Sequence, residues 1–393
     1  MGRMELIEAY DIIGSKKIGE TEMGNSFDHY KDKIRGSLVA GAAGDALGYP
    51  VEFISLKAIR KEFGQEGITG YSCDFNTGLA VFSDDTQMTL FTATGLLNAE
   101  TARAQGISKN TYAFIHKAYN DWYKTQMGTS VGDPAPCAPE SWLMNTPALY
   151  KRRAPGTTCL NALGTSKVRS LYKPLNNSKG CGGIMRVAPV GLLYPGADLE
   201  KIVEIAAEAS AITHGHPLGC FPSGIFAAIV NLAAYSDGKL TLLEMTEKSV
   251  AAARALYGKS DMWDEMEAIV DKTVDLAAGS RSDEVNIKEL GGGWVAEEAL
   301  AVSLYCALRY ENDLSACLIA SVNHDGDSDS TGAIAGNILG ALHGFEAIDK
   351  KWKTNLEMLD LICSLADDIW FCADPEHGDL CANEDWMRKY GSK

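Results

Sequence analysis

Two segments nearly three hundred residues apart carry the same unusual ridge of small residues. In IRGSLVAGAAGDALG, Gly36, Ala40, Gly44 and Gly48 recur every fourth position, and in TGAIAGNILGALHG so do Gly332, Gly336, Gly340 and Gly344. On a helix that spacing aligns the residues on one face, where a second backbone can approach closely. Each glycine weakens a helix by about 1 kcal/mol relative to alanine, so such ridges need a packing reason. Two tightly crossing central helices supply it.

The rest of the chain supports an all-α fold. Ser83 to Leu97, Ser108 to Thr125, Leu199 to Thr213, Thr241 to Leu256, Met262 to Leu276, Gly293 to Tyr310 and Asn355 to Phe371 read as helices. Ile202, Ile205, Ala206, Ala209 and Ile212, for example, fall at helical spacing. Alternating strand patterns are scarce, and no repeat suggests a solenoid. The expectation is one compact multi-helix domain over residues 29–393, preceded by a polar, weakly periodic extension over residues 1–28. Pro217 to Tyr235 is the longest apolar stretch. Its Pro217, Pro222, Ser223 and Asn231 fit a buried core helix better than a membrane span.

The formal charge of −16 repels phosphates, which disfavours nucleic-acid and anionic-membrane partners. Ten cysteines without a CxxC pair, several inside apolar runs, read as small buried hydrophobes rather than a disulfide framework. The N-terminus has no apolar leader pattern, so a cytoplasmic protein is expected.

Chemistry concentrates at two acidic helix starts. In FSDDTQMTLF, Ser83 and Asp84 occupy cap-like positions, and Asp84 with Gln87 has the spacing of a capping box. That accounts for one acid but not for the adjacent Asp85, because neighbouring carboxylates repel unless a cation or strong donors compensate them. Taken alone, the cluster fits a cap and a hard-metal site equally. In NHDGDSDSTGAIAG, Asp325, Asp327, Asp329, Ser330 and Thr331 crowd one turn. A cap needs only one acid, and the EF-hand pattern fails because no Glu closes the loop, so a metal site is favoured.

A third element, NNSKGCGGIMRVAPVGLL, sets Gly180, Gly182 and Gly183 ahead of an apolar run. It is neither a Walker loop nor a Rossmann fingerprint, and by itself it reads as a tight turn before a buried helix. His214 and His216 lack a third zinc ligand, so they read as helix-end histidines that cap carbonyls or contact a ligand phosphate. Glu52 by itself is a surface acid, and Trp122 and Trp294 are core anchors.

In this order the blocks GSLVAGAAGDALGYPVEF, FSDDTQMTL, GCGGIMRVAPVGLL, ITHGHP, GGGWVAEEALAVSLYCALRY and HDGDSDSTGAIAGNILGALHG resemble the ADP-ribosylglycohydrolase family, from about Ile34 to Gly344. The resemblance implies a compact orthogonal all-helical fold and two magnesium ions, or manganese, held by Ser83, Asp84, Asp85, Asp327, Asp329 and Ser330. It also implies Glu52 as a mobile glutamate near the scissile bond, with Glu52 or Asp85 assisting proton transfer. Gly180, Cys181, Gly182, Gly183, Ile184, Met185 and His214 would contact the diphosphate and its riboses. The implied partners are an ADP-ribosylated protein as substrate and ADP-ribose as product.

The GDSDS form of the second motif is most similar to the arginine-specific branch, so hydrolysis of ADP-ribosyl-arginine by water attack at the distal ribose C1 is the expectation. The rivals are a non-catalytic ADP-ribose-binding relative, a hydrolase of serine-linked or free O-acetyl-ADP-ribose, and a metal-dependent phosphoesterase. An immunity protein reversing a toxin's modification would use the same chemistry.

Overall fold

In a computed structural model, residues 24–132, 141–165 and 170–391 are described. The expected extension falls mostly outside them. The described part is a bundle of 17 helices with no strand, only isolated bridges. In order these are α1 (Gly24–Gly48), α2 (Leu56–Phe63), α3 (Asp84–Ala104), α4 (Thr111–Gln126), α5 (Thr157–Leu163) and α6 (Ala188–Leu193). There follow α7 (Leu199–Ala211), α8 (Pro217–Tyr235), α9 (Leu242–Tyr257), α10 (Trp263–Ala278), α11 (Asp283–Leu290) and α12 (Ala296–Arg309). The chain closes with α13 (Leu314–Val322), α14 (Ser328–His343), α15 (Lys350–Lys353), α16 (Leu359–Ala373) and α17 (Glu384–Tyr390).

The two glycine ridges meet. A Cβ on Gly36 would lie 2.3 Å from the Gly340 carbonyl oxygen, one on Gly44 2.0 Å from that of Gly332, and one on Gly48 2.2 Å from that of Ser328. As one number rises the other falls, so α1 and α14 pack antiparallel with their backbones in contact. That register carries the C-terminal end of α1 to the N-terminal end of α14. Ser37 adds a hydrogen bond from its Oγ to the Asn337 carbonyl at 2.9 Å.

Around this pair the remaining helices bury one large apolar core, with a small separate cluster of Ala99, Ala102 and Phe114 between α3 and α4. The apolar helix α8, capped by His216 and with Pro217 in its first turn, is long and apolar enough to cross a membrane. Its most apolar window is nevertheless 89% buried inside the protein. It is a core helix.

Boundaries moved where tertiary pairing competes with the helix. The expected start at Asn355 shifts to Leu359, because Asn355 (φ 64°) and Met358 (φ 54°) adopt left-handed backbone. The segment between them pairs instead with Ala80, whose N–H donates to the Asn355 carbonyl at 2.8 Å. Likewise α12 begins at Ala296 rather than Gly293: Gly293 has φ 77°, and Val295 bridges to Gly180.

Candidate metal centre and active site

The first acidic cluster is held in place from three sides. Asp45, fully buried on α1, accepts hydrogen bonds from the Ser83 N–H (2.8 Å), the Thr86 N–H (2.9 Å) and the Thr86 hydroxyl (2.6 Å). Ser83 caps α3, its Oγ accepting the Asp85 N–H at 3.2 Å. A buried ion pair between Arg153 and Glu357, bidentate at 2.6 and 2.8 Å, ties down the preceding residue, since Arg153 also donates to the Phe82 carbonyl at 2.8 Å. The capping box expected of Asp84 and Gln87 does not form. Ser83 takes the cap, Gln87 turns to the Lys151 carbonyl and the Trp122 indole, and Asp84 Oδ2 accepts the Gly156 N–H at 3.2 Å.

The second cluster starts α14. Asp327 caps that helix, its Oδ1 accepting the Ser330 N–H at 3.3 Å, and its own N–H donates to the Gly292 carbonyl at 2.8 Å. Gly326 permits that approach, because a Cβ there would sit 2.0 Å from the Gly292 oxygen. His324 is buried beneath the turn and bonds Thr331 Oγ1 at 2.9 Å. Asp325 points elsewhere and caps α2 by accepting the Leu56 N–H at 2.6 Å.

The clusters join directly: Ser330 Oγ donates to Asp85 Oδ2 at 2.7 Å, across 245 positions of sequence. Glu52, just beyond the turn that ends α1, comes to the same place. One carboxylate oxygen each from Glu52, Asp327 and Asp329 lie within 4.8 Å of one another. The surface acid of the residue-by-residue reading is therefore half-buried, with Glu52 Oε2 enclosed and without a hydrogen-bond partner.

Burial, followed by the neighbouring Asp329 and Asp327 charges, pushes the Glu52 carboxyl up to about 11. Asp45 is raised to about 7 by burial and then by Asp329. Asp84, Asp85 and Asp327 are raised well above the usual carboxylate range, burial being the largest cause of each. Carboxylates assembled this closely repel one another, and a cation removes the conflict. The donors are carboxylate and hydroxyl oxygens, which suit a hard divalent ion, and Glu52, one of whose oxygens is buried without a partner, stands among them. These residues fit a metal.

The glycine loop borders the centre. Gly180 precedes a 3₁₀ turn, Cys181–Arg186, that leads into α6. Cys181 donates its N–H to the Trp294 carbonyl at 3.2 Å and its thiol to Asp327 Oδ2 at 2.7 Å. Gly182 faces His214, and Gly183 is demanded by packing, since a Cβ there would lie 1.9 Å from Ser210 Oγ. Ile184 and Met185 are buried, so Ile184 contributes core packing, while Met185 Sδ lies 4.0 Å from Ser330 Oγ.

His214 is buried beside Thr213 Oγ1 (2.8 Å). Burial and then the Arg186 charge push it down to about 3, so it is neutral against the loop. His216 accepts an amide, the Leu218 N–H at 3.1 Å, rather than capping carbonyls.

Sequence reasoning missed Asp45, which sits inside the GDALG of the first ridge, and gave no role to Arg186, beside the glycine loop. Arg186 is fully buried, donates to Thr213 Oγ1 at 2.7 Å and lies 4.2 Å over the Tyr119 ring, locking the loop to the bundle. Trp122 is a core anchor as expected, but Trp294 is not. It is 41% exposed and stacks on Phe53, centroids 5.2 Å apart and planes 23° apart. Phe53 is 69% exposed and has φ 65°, a left-handed backbone costing a bulky residue about 1–3 kcal/mol.

Fold and site together define an all-helical protein whose central helix pair presents a buried carboxylate centre beside a glycine loop. The profile of the ADP-ribosylglycohydrolase family matches residues 27–377, and the chain belongs to that family. Among its relatives is the uncharacterized protein YegU of Escherichia coli, 26% identical over 342 residues, 84% of this chain and 93% of that one. Human ADP-ribosylhydrolase ARH3 is 28% identical over 228 residues, 51% of this chain and 61% of its own length. Dictyostelium discoideum ADP-ribosylhydrolase ARH1 is 24% identical over 413 residues, 91% of this chain and 97% of its own. A solved structure titled ADP-ribosylglycohydrolase-related protein complex superposes with a TM-score of 0.62 at 20% identity, covering 88% of this chain and all of that one, and shares the fold.

Proposed function

We propose that this protein is a cytoplasmic, magnesium-dependent hydrolase that removes ADP-ribose from modified protein side chains, with ADP-ribosyl-arginine as its substrate. The observation that carries this reading is the convergence of Glu52, Asp327 and Asp329 on one spot, joined to Asp85 through Ser330. Ser83, Asp84, Asp85, Asp327, Asp329 and Ser330 would hold two magnesium ions, their four carboxylates balancing the charge. When bound, the ions supply a template for the ribose diol and Lewis-acid stabilisation of an oxocarbenium-like transition state.

The chain's own groups do the rest. Asp45 orients the start of α3 and keeps Asp84 and Asp85 in register. Gly180 to Gly183 with neutral His214 form the cradle for the diphosphate. Glu52, half-exposed among otherwise buried acids, would exchange a proton with water at the distal ribose, with Asp85 as the alternative proton carrier. Water forms the new bond to C1 as the bond from C1 to the guanidine nitrogen breaks, and the proton lost by water ends on the leaving nitrogen.

The test is a panel of arginine-, serine- and cysteine-linked ADP-ribosyl proteins, incubated with magnesium or chelator and assayed for free ADP-ribose. Release from the arginine conjugate, abolished by chelator and by Asp327→Ala, is expected. ADP-ribose binding without release from any conjugate would return the protein to a non-catalytic reader. Phosphate products would make it a phosphoesterase.

A further inference from the structure

We propose that the stacked Phe53–Trp294 pair is the acceptor-side platform of this site and receives the planar guanidinium of the ADP-ribosylated arginine. The inference rests on the proposed hydrolysis of arginine-linked ADP-ribose and adds the residues that would select that acceptor.

Both rings are tethered to the carboxylate centre. Phe53 directly follows Glu52 in the chain. Trp294 follows Gly293, at which a Cβ would meet the Thr331 Cγ2 at 2.9 Å and the Asp327 Cβ at 3.4 Å. The Trp294 carbonyl also accepts the N–H of Cys181, whose thiol donates to Asp327. The pair thus spans from the proton-exchanging glutamate to the glycine loop.

Neither ring is there to fill the core. Trp294 covers one face of Phe53, and at 69% exposure the opposite face stands open to solvent. A phenylalanine in left-handed backbone at a water-exposed position is held against both its conformational preference and its hydrophobicity.

A flat aromatic face takes either a nucleobase or a guanidinium. Two features favour the guanidinium. The rings lie at the Glu52 end of the site, where the bond to the acceptor breaks, whereas the base lies beyond the diphosphate from that bond. Glu52, next to Phe53 in the chain, offers carboxyl oxygens to guanidinium N–H groups, and the negative face of an aromatic ring draws cations. A substituted arginine keeps a planar, delocalised positive charge that stacks on such a face. A serine linkage offers no such group.

The test uses the full-length protein with magnesium and compares Phe53→Leu, Trp294→Leu and the aromatic replacements Phe53→Tyr and Trp294→Phe. The leucine variants are expected to raise KM for an ADP-ribosylarginine peptide about two- to fivefold, the scale of an exposed cation–π contact, with kcat little changed. The aromatic replacements restore KM. Affinity for free ADP-ribose, measured by calorimetry, stays at the wild-type value in all four, which also shows that each variant is folded. An unchanged KM in the leucine variants, or a parallel loss of ADP-ribose affinity, overturns the platform while leaving the hydrolase reading standing. A wild-type protein inactive on every arginine-linked substrate overturns the reading beneath it as well.

Discussion

Ser330 Oγ donates to Asp85 Oδ2 at 2.7 Å, closing the carboxylate centre between the first turns of α14 and α3. Both first turns carry acids, which the helix macrodipole favours, and each is capped by its own residue, Asp327 or Ser83. Local helix-start chemistry therefore satisfies one group per cluster and leaves Asp84, Asp85 and Asp329 for other work.

The ridge contact makes a prediction against helix propensity. Gly44→Ala gains about 1 kcal/mol of propensity, yet its Cβ would lie 2.0 Å from the Gly332 carbonyl oxygen, and overpacking costs about 1–3 kcal/mol or more. Net destabilisation and a weakened response to magnesium are expected in urea unfolding. A more stable variant would refute the close packing of α1 on α14.

Asp45→Asn tests the support beneath the centre. The native carboxylate accepts three hydrogen bonds from Ser83 and Thr86, and the amide offers one accepting oxygen in place of two. Magnesium affinity, read by calorimetry, is expected to fall about 10- to 100-fold, as when outer supports of metal ligands are lost. An undiminished affinity would show that Asp45 does not orient the cluster.

The raised carboxylates set the sign of a pH dependence. Free carboxyls in the unfolded chain titrate near pH 4, about the model-peptide value, whereas Asp45 and Glu52 in the folded, cation-free protein are raised to about 7 and about 11. Their contribution to stability is fully present below pH 4 and is lost as pH rises through those folded values. A divalent ion displaces the bound protons, so the gain in melting temperature on adding magnesium grows from about pH 5.5 to about pH 8. A gain that is flat or shrinks over that range contradicts a proton-linked carboxylate site.

The Arg153–Glu357 pair anchors the approach to Ser83. Removing one partner leaves a buried charge uncompensated, so Arg153→Met alone is expected to cost about 3–5 kcal/mol. The double variant Arg153→Met, Glu357→Leu should recover much of that loss. Denaturant midpoints of the two variants decide it, and equal losses would mean that the cost is packing rather than charge.

Much of the fold was legible because its signals are local. The glycine ridges announced a close helix pair, α7 begins at Leu199 where its periodicity does, and α8 begins at Pro217. What went unread depended on distant partners. The start of α16 is displaced by pairing with Ala80. Trp294 reads as core because a tryptophan in an apolar block usually is, but the positive-φ glycines ahead of it, Gly291 and Gly293, turn it outward onto Phe53.

For the site, the sequence alone determined which residue types were available and that two acidic helix starts held more carboxylates than capping needs. Residue chemistry and helical periodicity are properties of neighbours along the chain. Only the tertiary structure decided that Glu52 lies with Asp327 and Asp329, that Asp45 serves beneath Asp84 and Asp85, and that Asp325 caps α2. Those outcomes follow from the antiparallel register of α1 on α14, which is set by backbone contacts between residues about three hundred positions apart.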